Sequence, residues 1–206
     1  SDGSVDDTFN PGGGANNPIL DMLVQPDGRT VIVGDFSSFN GVSRKGVARI
    51  NSDGTLDETF GLGDGPDFSV HAVVMQRDGR VIIAGDFKNY DGVACEGVVR
   101  LNPDGSIDKS FNSALGFDDS VRCIALQEDG RIVIGGFFSH VGNAARGRIA
   151  RLNPDGSLDA DFAIGAGADG SIYSMAIQSD GKILVGGSFS HFNGLSRNGL
   201  VRLTES

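Results

Sequence analysis

Tryptophan is absent from this chain, cysteine occurs twice, histidine three times, and no apolar run approaches the roughly 20 residues that a membrane-spanning helix needs. Each shortage removes a class of protein. Cys95 and Cys123 stand in different columns of the sequence pattern described below, so no disulfide framework exists; they read as two isolated thiols, with Cys123 filling a core position and a disulfide between them as the alternative. Basic residues are outnumbered 17 to 27 by acids, giving a net charge of −10, and most recur at fixed positions and form no cluster, which argues against a nucleic-acid partner. Helical periodicity is missing throughout. Thirty-two glycines without a collagen period, few charge runs and no low-complexity tract point instead to tightly turned β structure. Ser1 opens inside the pattern with no basic-then-apolar leader before it, so the chain is expected to be a soluble domain cut from something longer, with no membrane insertion.

What the sequence has is repetition. The stretch Gln25-Pro26-Asp27-Gly28-Arg29 running to Phe36 returns as Gln76 to Phe87, Gln127 to Phe138 and Gln178 to Phe189, each copy 51 residues after the last. Four repeats, 1–51, 52–102, 103–153 and 154–204, make up one array. Each opens with Asp-Gly and an apolar-acid pair (Val5-Asp6, Leu56-Asp57, Ile107-Asp108, Leu158-Asp159), then an aromatic at Phe9, Phe60, Phe111 or Phe162, read as the buried end of a short strand. After a variable glycine-rich connection comes an apolar strand, 19–25 and its copies, expected to be buried on both faces. A second Asp-Gly turn joins it to Thr30-Val31-Ile32-Val33, the strongest short-range hairpin signal there is. A variable loop over 37–45 precedes a further strand at 46–50.

The repeat therefore predicts an all-β fold, a β-propeller built from four 51-residue, four-stranded blades, because one such sheet cannot bury both faces alone whereas blades around an axis can. The order of strands predicts closure by pairing the N-terminal strand with the last blade. A self-contained four-bladed ring is the first expectation, with a dimeric eight-bladed ring or part of a larger ring as alternatives.

The pattern Gln-x-Asp-Gly-[Arg/Lys] through Gly-x-Phe to Arg-Leu-Asn-Pro-Asp-Gly-Ser-Leu-Asp-x-x-Phe resembles the bacterial delta-60 repeat, a β-propeller domain of unknown function, and all four copies match it. The resemblance implies large secreted or surface-attached bacterial proteins in which such repeats accompany other modules. It implies no catalytic residue.

In an up-and-down blade both Asp-Gly turns fall on one face of the ring and both variable connections fall on the other, which becomes the candidate binding surface. The second residue of the expected innermost strand is Leu20, His71, Arg122 or Tyr173, four side chains that would ring the mouth of the channel; the competing reading is a column that faces a loop and tolerates anything. Asp21, in a column otherwise small, needs a partner or water. Asn17, Phe68, Phe117 and Asp119, with Asn89, His140 and His191, are the candidates in the variable loops. Two histidines in one column without a completing Cys or acid column do not make a zinc site, and no metal or cofactor is expected. Arg44, Arg146 and Arg197 share a column suited to carboxylates or sulfated sugars, with ion pairs to the repeat's own acids the favoured expectation. Asp104-x-Ser106-x-Asp108 imitates half a calcium loop, but Lys109 and Leu115 occupy the places of the required Gly and acid, and an Asx-turn accounts for the same residues. The Arg49, Arg100, Arg151 and Arg202 column is expected to pair with acids within each blade.

These readings predict a non-enzymatic binding or adhesion module, secreted or on a bacterial cell surface, that takes a glycan, peptide or protein ligand on the variable face as a monomer or homodimer. The alternatives are a structural spacer or oligomerisation propeller, and, ranked last, a propeller glycosidase or lyase using Asp21 with His71.

Overall fold

The computed structural model describes residues 3–204; Asp2, which opens the first Asp-Gly turn, lies outside the described residues. Five strands recur in each repeat. They are β1 (Ile19–Val24), β2 (Thr30–Gly34), β3 (Ser38–Phe39), β4 (Val42–Ser43) and β5 (Val47–Ile50) in the first. The second holds β6 (Val70–Met75), β7 (Val81–Gly85), β8 (Asn89–Tyr90), β9 (Val93–Ala94) and β10 (Val98–Leu101). The third holds β11 (Val121–Leu126), β12 (Ile132–Gly136), β13 (His140–Val141), β14 (Ala144–Ala145) and β15 (Ile149–Leu152). The fourth holds β16 (Ile172–Ile177), β17 (Ile183–Gly187), β18 (His191–Phe192), β19 (Leu195–Ser196) and β20 (Leu200–Leu203).

The main sheet of each blade has three antiparallel strands, in the order β1-β2-β5 and its equivalents. The expected fourth strand is reduced to one bridge in each of the first three blades, Ile50 with Leu56, Leu101 with Ile107 and Leu152 with Leu158. It stops there because the following acid turns the chain: Asp57 Oδ1 accepts from the amide and hydroxyl of Thr59 at 2.9 and 2.6 Å, and the segment then crosses to the next blade, where Gly61 N donates to Asp104 O at 3.0 Å.

The loop expected over 37–45 contains a small hairpin of its own, β3-β4. Asn40 (φ 48°) and Gly41 (φ 78°) form its two-residue turn, as Asp91-Gly92 and Asn193-Gly194 do in two other blades, because a tight hairpin requires positive φ at both positions. Bridges from Ala15 to Phe39, Pro66 to Tyr90, Phe117 to Val141 and Ala168 to Phe192 join this hairpin to the other variable connection. Both variable segments thus share one face.

Blades pack face to face. Val31, Val33 and Val47 of the first meet Val73, Ile83 and Phe87 of the second, and equivalent clusters join second to third and third to fourth. Strands β1, β6, β11 and β16 pack in series, which makes them the inner strands. Cys95 and Cys123 are both free and buried in these seams, as two isolated thiols.

Burial on both faces holds for β6 and β11 but not for β1, whose Met22 is 61% exposed and Val24 67%, nor for β16, whose Tyr173, Ser174 and Ala176 are exposed. Phe60, Phe111 and Phe162 are buried as expected, whereas Phe9 is half exposed and Val5 85% exposed. The departures in the first blade have one cause: among the described residues no blade packs in front of it. Among the described residues no bridge joins Val5 to β20, so the expected strand-pairing closure is not seen.

Candidate functional site

The hairpin of inner and second strands carries an irregularity at the same place in every blade. Ile19 pairs with Gly34 and Asp21 with Val33, so Leu20 is an extra residue, a β-bulge; His71, Arg122 and Tyr173 are the extra residues of the other three. A bulge bends the strand and re-aims a side chain that the regular ladder would bury or point elsewhere. It is made possible by glycine on the facing strand. A Cβ at Gly34, Gly85, Gly136 or Gly187 would run into the carbonyl oxygen of Pro18, Ser69, Ser120 or Ser171. Those same carbonyls accept from the amides of Asp35, Asp86, Phe137 and Ser188 at 2.8–3.0 Å.

Three of the four bulge residues consequently meet the residue after that glycine. His71 Nε2 lies 2.9 Å from Asp86 Oδ2, the Arg122 guanidinium lies 4.6 Å above the Phe137 ring, and Ser188 Oγ lies 3.5 Å from the Tyr173 hydroxyl. The column of Asp35, Asp86, Phe137 and Ser188 was missed in the sequence. It was visible there as the one variable position between the repeated Gly and Phe.

Contacts across the seams join these pairs into a ladder. Arg122 Nη1 approaches both ring nitrogens of His71, at 2.9 and 3.3 Å, a position over the ring and not in line with either lone pair. Arg122 also lies 3.8 Å from Asp86, and Phe137 meets the edge of Tyr173 at 5.6 Å. Ser120 donates its hydroxyl to Asp86 Oδ1. Burial works against the charge on Asp86, but the hydrogen bonds from Ser120 and His71 and the nearby Arg122 hold its carboxyl below the ordinary carboxylate value. Tyr173 and Leu20 are exposed, while His71 is nearly covered.

A cleft of about 340 Å³ opens beside this ladder between the second and third blades, lined by Asp86, Lys88, Glu96, Phe117, Asp119 and Ser120 among others. A similar cleft of about 240 Å³, with Phe68, Asp35 and Lys45, lies between the first and second. Of the loop candidates, Phe117 and Asp119 therefore line the cleft that Asp86 and Ser120 also border. Phe117 is half-buried against Phe138, and Asp119 accepts from the amide of Ser120 at 2.7 Å. Phe68 and Asn17 stand exposed one blade away.

Asn89, His140 and His191 are held by a column that sequence reasoning passed over. Asp67 accepts from the amides of Lys88 and Asn89, Asp118 from those of Ser139 and His140, and Asp169 from those of Ser190 and His191, all within 3.0 Å. Asn16 does the same for Ser37 and Ser38. His140 Nδ1 and His191 Nδ1 add contacts of 3.2 and 3.1 Å to these carboxylates. Asp21 is also turned inward, accepting from Val73 N across the first seam at 2.9 Å, so the partner that its column demanded is a backbone amide.

Arg44, Arg146 and Arg197 make no ion pair among the described residues. Each Nη1 donates to the preceding backbone carbonyl at 2.7–2.9 Å, which corrects the expected pairing with the repeat's own acids: a carbonyl one residue away takes the place of a carboxylate. The Asx-turn reading of Asp104 holds, its Oδ1 accepting from Ser106 N and Oγ at 2.9 and 2.7 Å. Among the described residues no cluster of His, Cys, Asp or Glu is placed to hold a metal ion, and no helix is long and apolar enough to cross a membrane.

Stacked antiparallel blades with inner strands in series and loops gathered on one face define the β-propeller class. The matches between this chain and known proteins agree. The family model described as domain of unknown function (DUF5122) beta-propeller matches residues 25–60, 76–111, 127–162 and 178–206, and the chain belongs to that family. No curated protein matches its sequence. Among solved structures it is similar to the WD40 beta propeller domain of Doa1, at 19% identity and a TM-score of 0.58, over 91% of this chain and 50% of that one. It is also similar to the extracellular domain of a putative one-component system from B. thetaiotaomicron, at 14% identity and a TM-score of 0.56, over 97% of this chain and 24% of that one. A streptogramin B lyase matches at 13% identity and a TM-score of 0.50, over 89% of this chain and 53% of its own. The chain thus spans half or less of the first two, and the set contains a lyase beside a WD40 domain and an extracellular domain.

Proposed function

We propose that this protein is a non-enzymatic binding module of a bacterial secreted or cell-surface protein, and that it takes a glycan or peptide on the variable face, as part of a closed ring of blades. One observation carries the reading: four bulges, each enforced by glycine, aim four different side chains to one end of the inner strands, where Tyr173, Phe137, Arg122 and His71 form a continuous ladder. An exposed tyrosine suits the apolar face of a sugar ring or a peptide side chain, and the guanidinium beside it suits a carboxylate or hydroxyl oxygen. The cluster contains Ser, His and Asp, but in an order that supports binding over acyl transfer. Asp86 lies between His71 and Ser120, so the hydroxyl donates to the carboxylate and no imidazole stands ready to take its proton.

The test is a glycan array and a peptide library, followed by titration of a hit against Arg122→Ala and Tyr173→Ala. Each change is expected to weaken binding by roughly tenfold or more, as removal of an anchoring Arg or Tyr does. Unchanged affinity in both variants would remove the ladder from the site. The second reading, an oligomerisation propeller, draws on the uncovered faces of the first and last blades.

A further inference from the structure

In the first three blades the outer strand is covered and its arginine is locked. Strands β5, β10 and β15 are buried throughout. Arg49, Arg100 and Arg151 each donate Nε to Asp57, Asp108 or Asp159 at 2.7–2.8 Å and lie 4.4–4.8 Å above the ring of Phe60, Phe111 or Phe162. The fourth blade has the same strand without its cover. Leu200 is 61% exposed where Val47, Val98 and Ile149 are buried, Arg202 is exposed and pairs with no carboxylate among the described residues, and a cavity of about 330 Å³ lies along Val201, Arg202 and Leu203.

The missing cover is present at the other end of the molecule. Asp6-Asp7-Thr8-Phe9 repeats the motif Asp57-Glu58-Thr59-Phe60, already folded into the same turn, with Asp6 Oδ1 accepting from Thr8 N and Oγ1 at 2.9 and 2.6 Å. Its Phe9 and Val5 are exposed, and among the described residues no arginine forms an ion pair with Asp6. The faces behind match too: Met22 is bare where its equivalents Val73 and Ile124 are buried against the preceding blade, and Val24 is bare where its equivalents Met75 and Leu126 are half-buried there.

We infer that a second copy of this chain covers these surfaces head to tail, the Val5–Phe9 segment of each copy lying along β20 of the other, with Asp6 accepting from Arg202 and Phe9 beneath its guanidinium. The occupant is a copy of this chain because the joint is one the chain already makes three times between its own blades. A heterologous joint closes only if the rotation per copy completes a turn. The four blades align with about half the length of the WD40 beta propeller domain of Doa1, so a second copy supplies blades in the number that a closed ring still needs.

Light scattering across a dilution series tests this on the 206-residue chain. The expected mass is twice the 21.4 kDa of one copy. Arg202→Ala and Asp6→Ala, both at exposed positions, are expected to raise the dissociation constant by roughly tenfold or more. The double variant Val5→Cys with Leu203→Cys, equivalent to the bridged pair Leu56 and Ile50, is expected to give a covalent dimer on oxidation, with little background from the buried Cys95 and Cys123. A monomeric wild type, an intrachain link that closes the four blades on themselves, or a dimer indifferent to both single changes and uncrosslinked would each overturn the inference.

Discussion

Replacing Asp108 with Ala is expected to cost about 3–5 kcal/mol of unfolding free energy, the range seen when one partner of a buried ion pair is removed and the other stays behind. Asp108 and Arg100 are both nearly inaccessible. Besides the 2.8 Å contact to Asp108, Arg100 donates to Pro154 O in the next blade at 2.7 Å, to Gln76 Oε1 at 3.2 Å and to Ser110 Oγ at 3.2 Å, so it cannot swing out to water without tearing the seam. A domain of this kind holds only about 5–15 kcal/mol in total, which makes the loss large enough to read directly from urea denaturation. Asp180→Ala is the contrast. Its partner Lys182 and its own carboxylate are both well exposed, and no measurable shift of the urea midpoint is expected. The same pairs set the acid limit. Burial opposes the charge on Asp108, but hydrogen bonds from Ser110 and the Arg100 guanidinium hold its pKa down at about 2, and Asp57 and Asp159 are lowered for the same reasons. Since the unfolded value is about 3.9, these groups stabilise the fold fully above that pH and lose their contribution as pH falls toward about 2. The urea midpoint should therefore be flat above about pH 5 and drop below about pH 4, with a shallower drop in Asp108→Ala.

The arginine lock was legible because it repeats: an Arg eight residues before an Asp in three successive copies is visible without coordinates. The same holds for the hairpins, the blade order and the shared face of the variable connections, all of which follow from turn chemistry and strand alternation. The column of Leu20, His71, Arg122 and Tyr173 was legible as variation, but the bulge that aims it was not. A bulge has no residue signature on its own strand; its signature is the facing glycine, and in a chain with 32 glycines one more carries little information. Asp86 and Phe137 were hidden for a related reason, being single variable letters inside the most regular part of the repeat. The side hairpin was spelled out by Asn40-Gly41 and Asp91-Gly92 and read as loop because two residues per strand are too few to show alternation. The ends of the array were illegible in principle: identical motifs read identically, and only packing distinguishes Phe9 from Phe60.

Substituting Ala at Gly85 is expected to be as damaging as losing a large core side chain, although it adds one carbon. The new Cβ would run into Ser69 O and stand 2.9 Å from Val70 Cα, and both obstacles are backbone. Neither can yield by a rotamer change. Ser69 O is further committed to the amide of Asp86 at 2.9 Å, and Gly85 N to Gly97 O at 3.0 Å, so the clash is pinned from three sides. Overpacking of this kind costs about 1–3 kcal/mol where side chains can adjust, and the upper end or beyond applies where they cannot. The expected relief is for the inner strand to draw back and lose the bulge at His71. That outcome predicts a second reading on the same variant: the geometry that sets His71 against Asp86 and Arg122 disappears, and with it any ligand affinity that rests on the ladder. Gly13→Ala, in the variable connection of the first blade, is the control. Its Cβ would come no closer than 3.5 Å to Asn40, and its backbone is in the ordinary region, so it should be neutral or gain up to about 1 kcal/mol through a less flexible unfolded chain. A destabilised Gly85→Ala that retains full binding would mean that the inner strand keeps its bulge and the second strand moves instead, and circular dichroism melts paired with titration of the same samples separate the two.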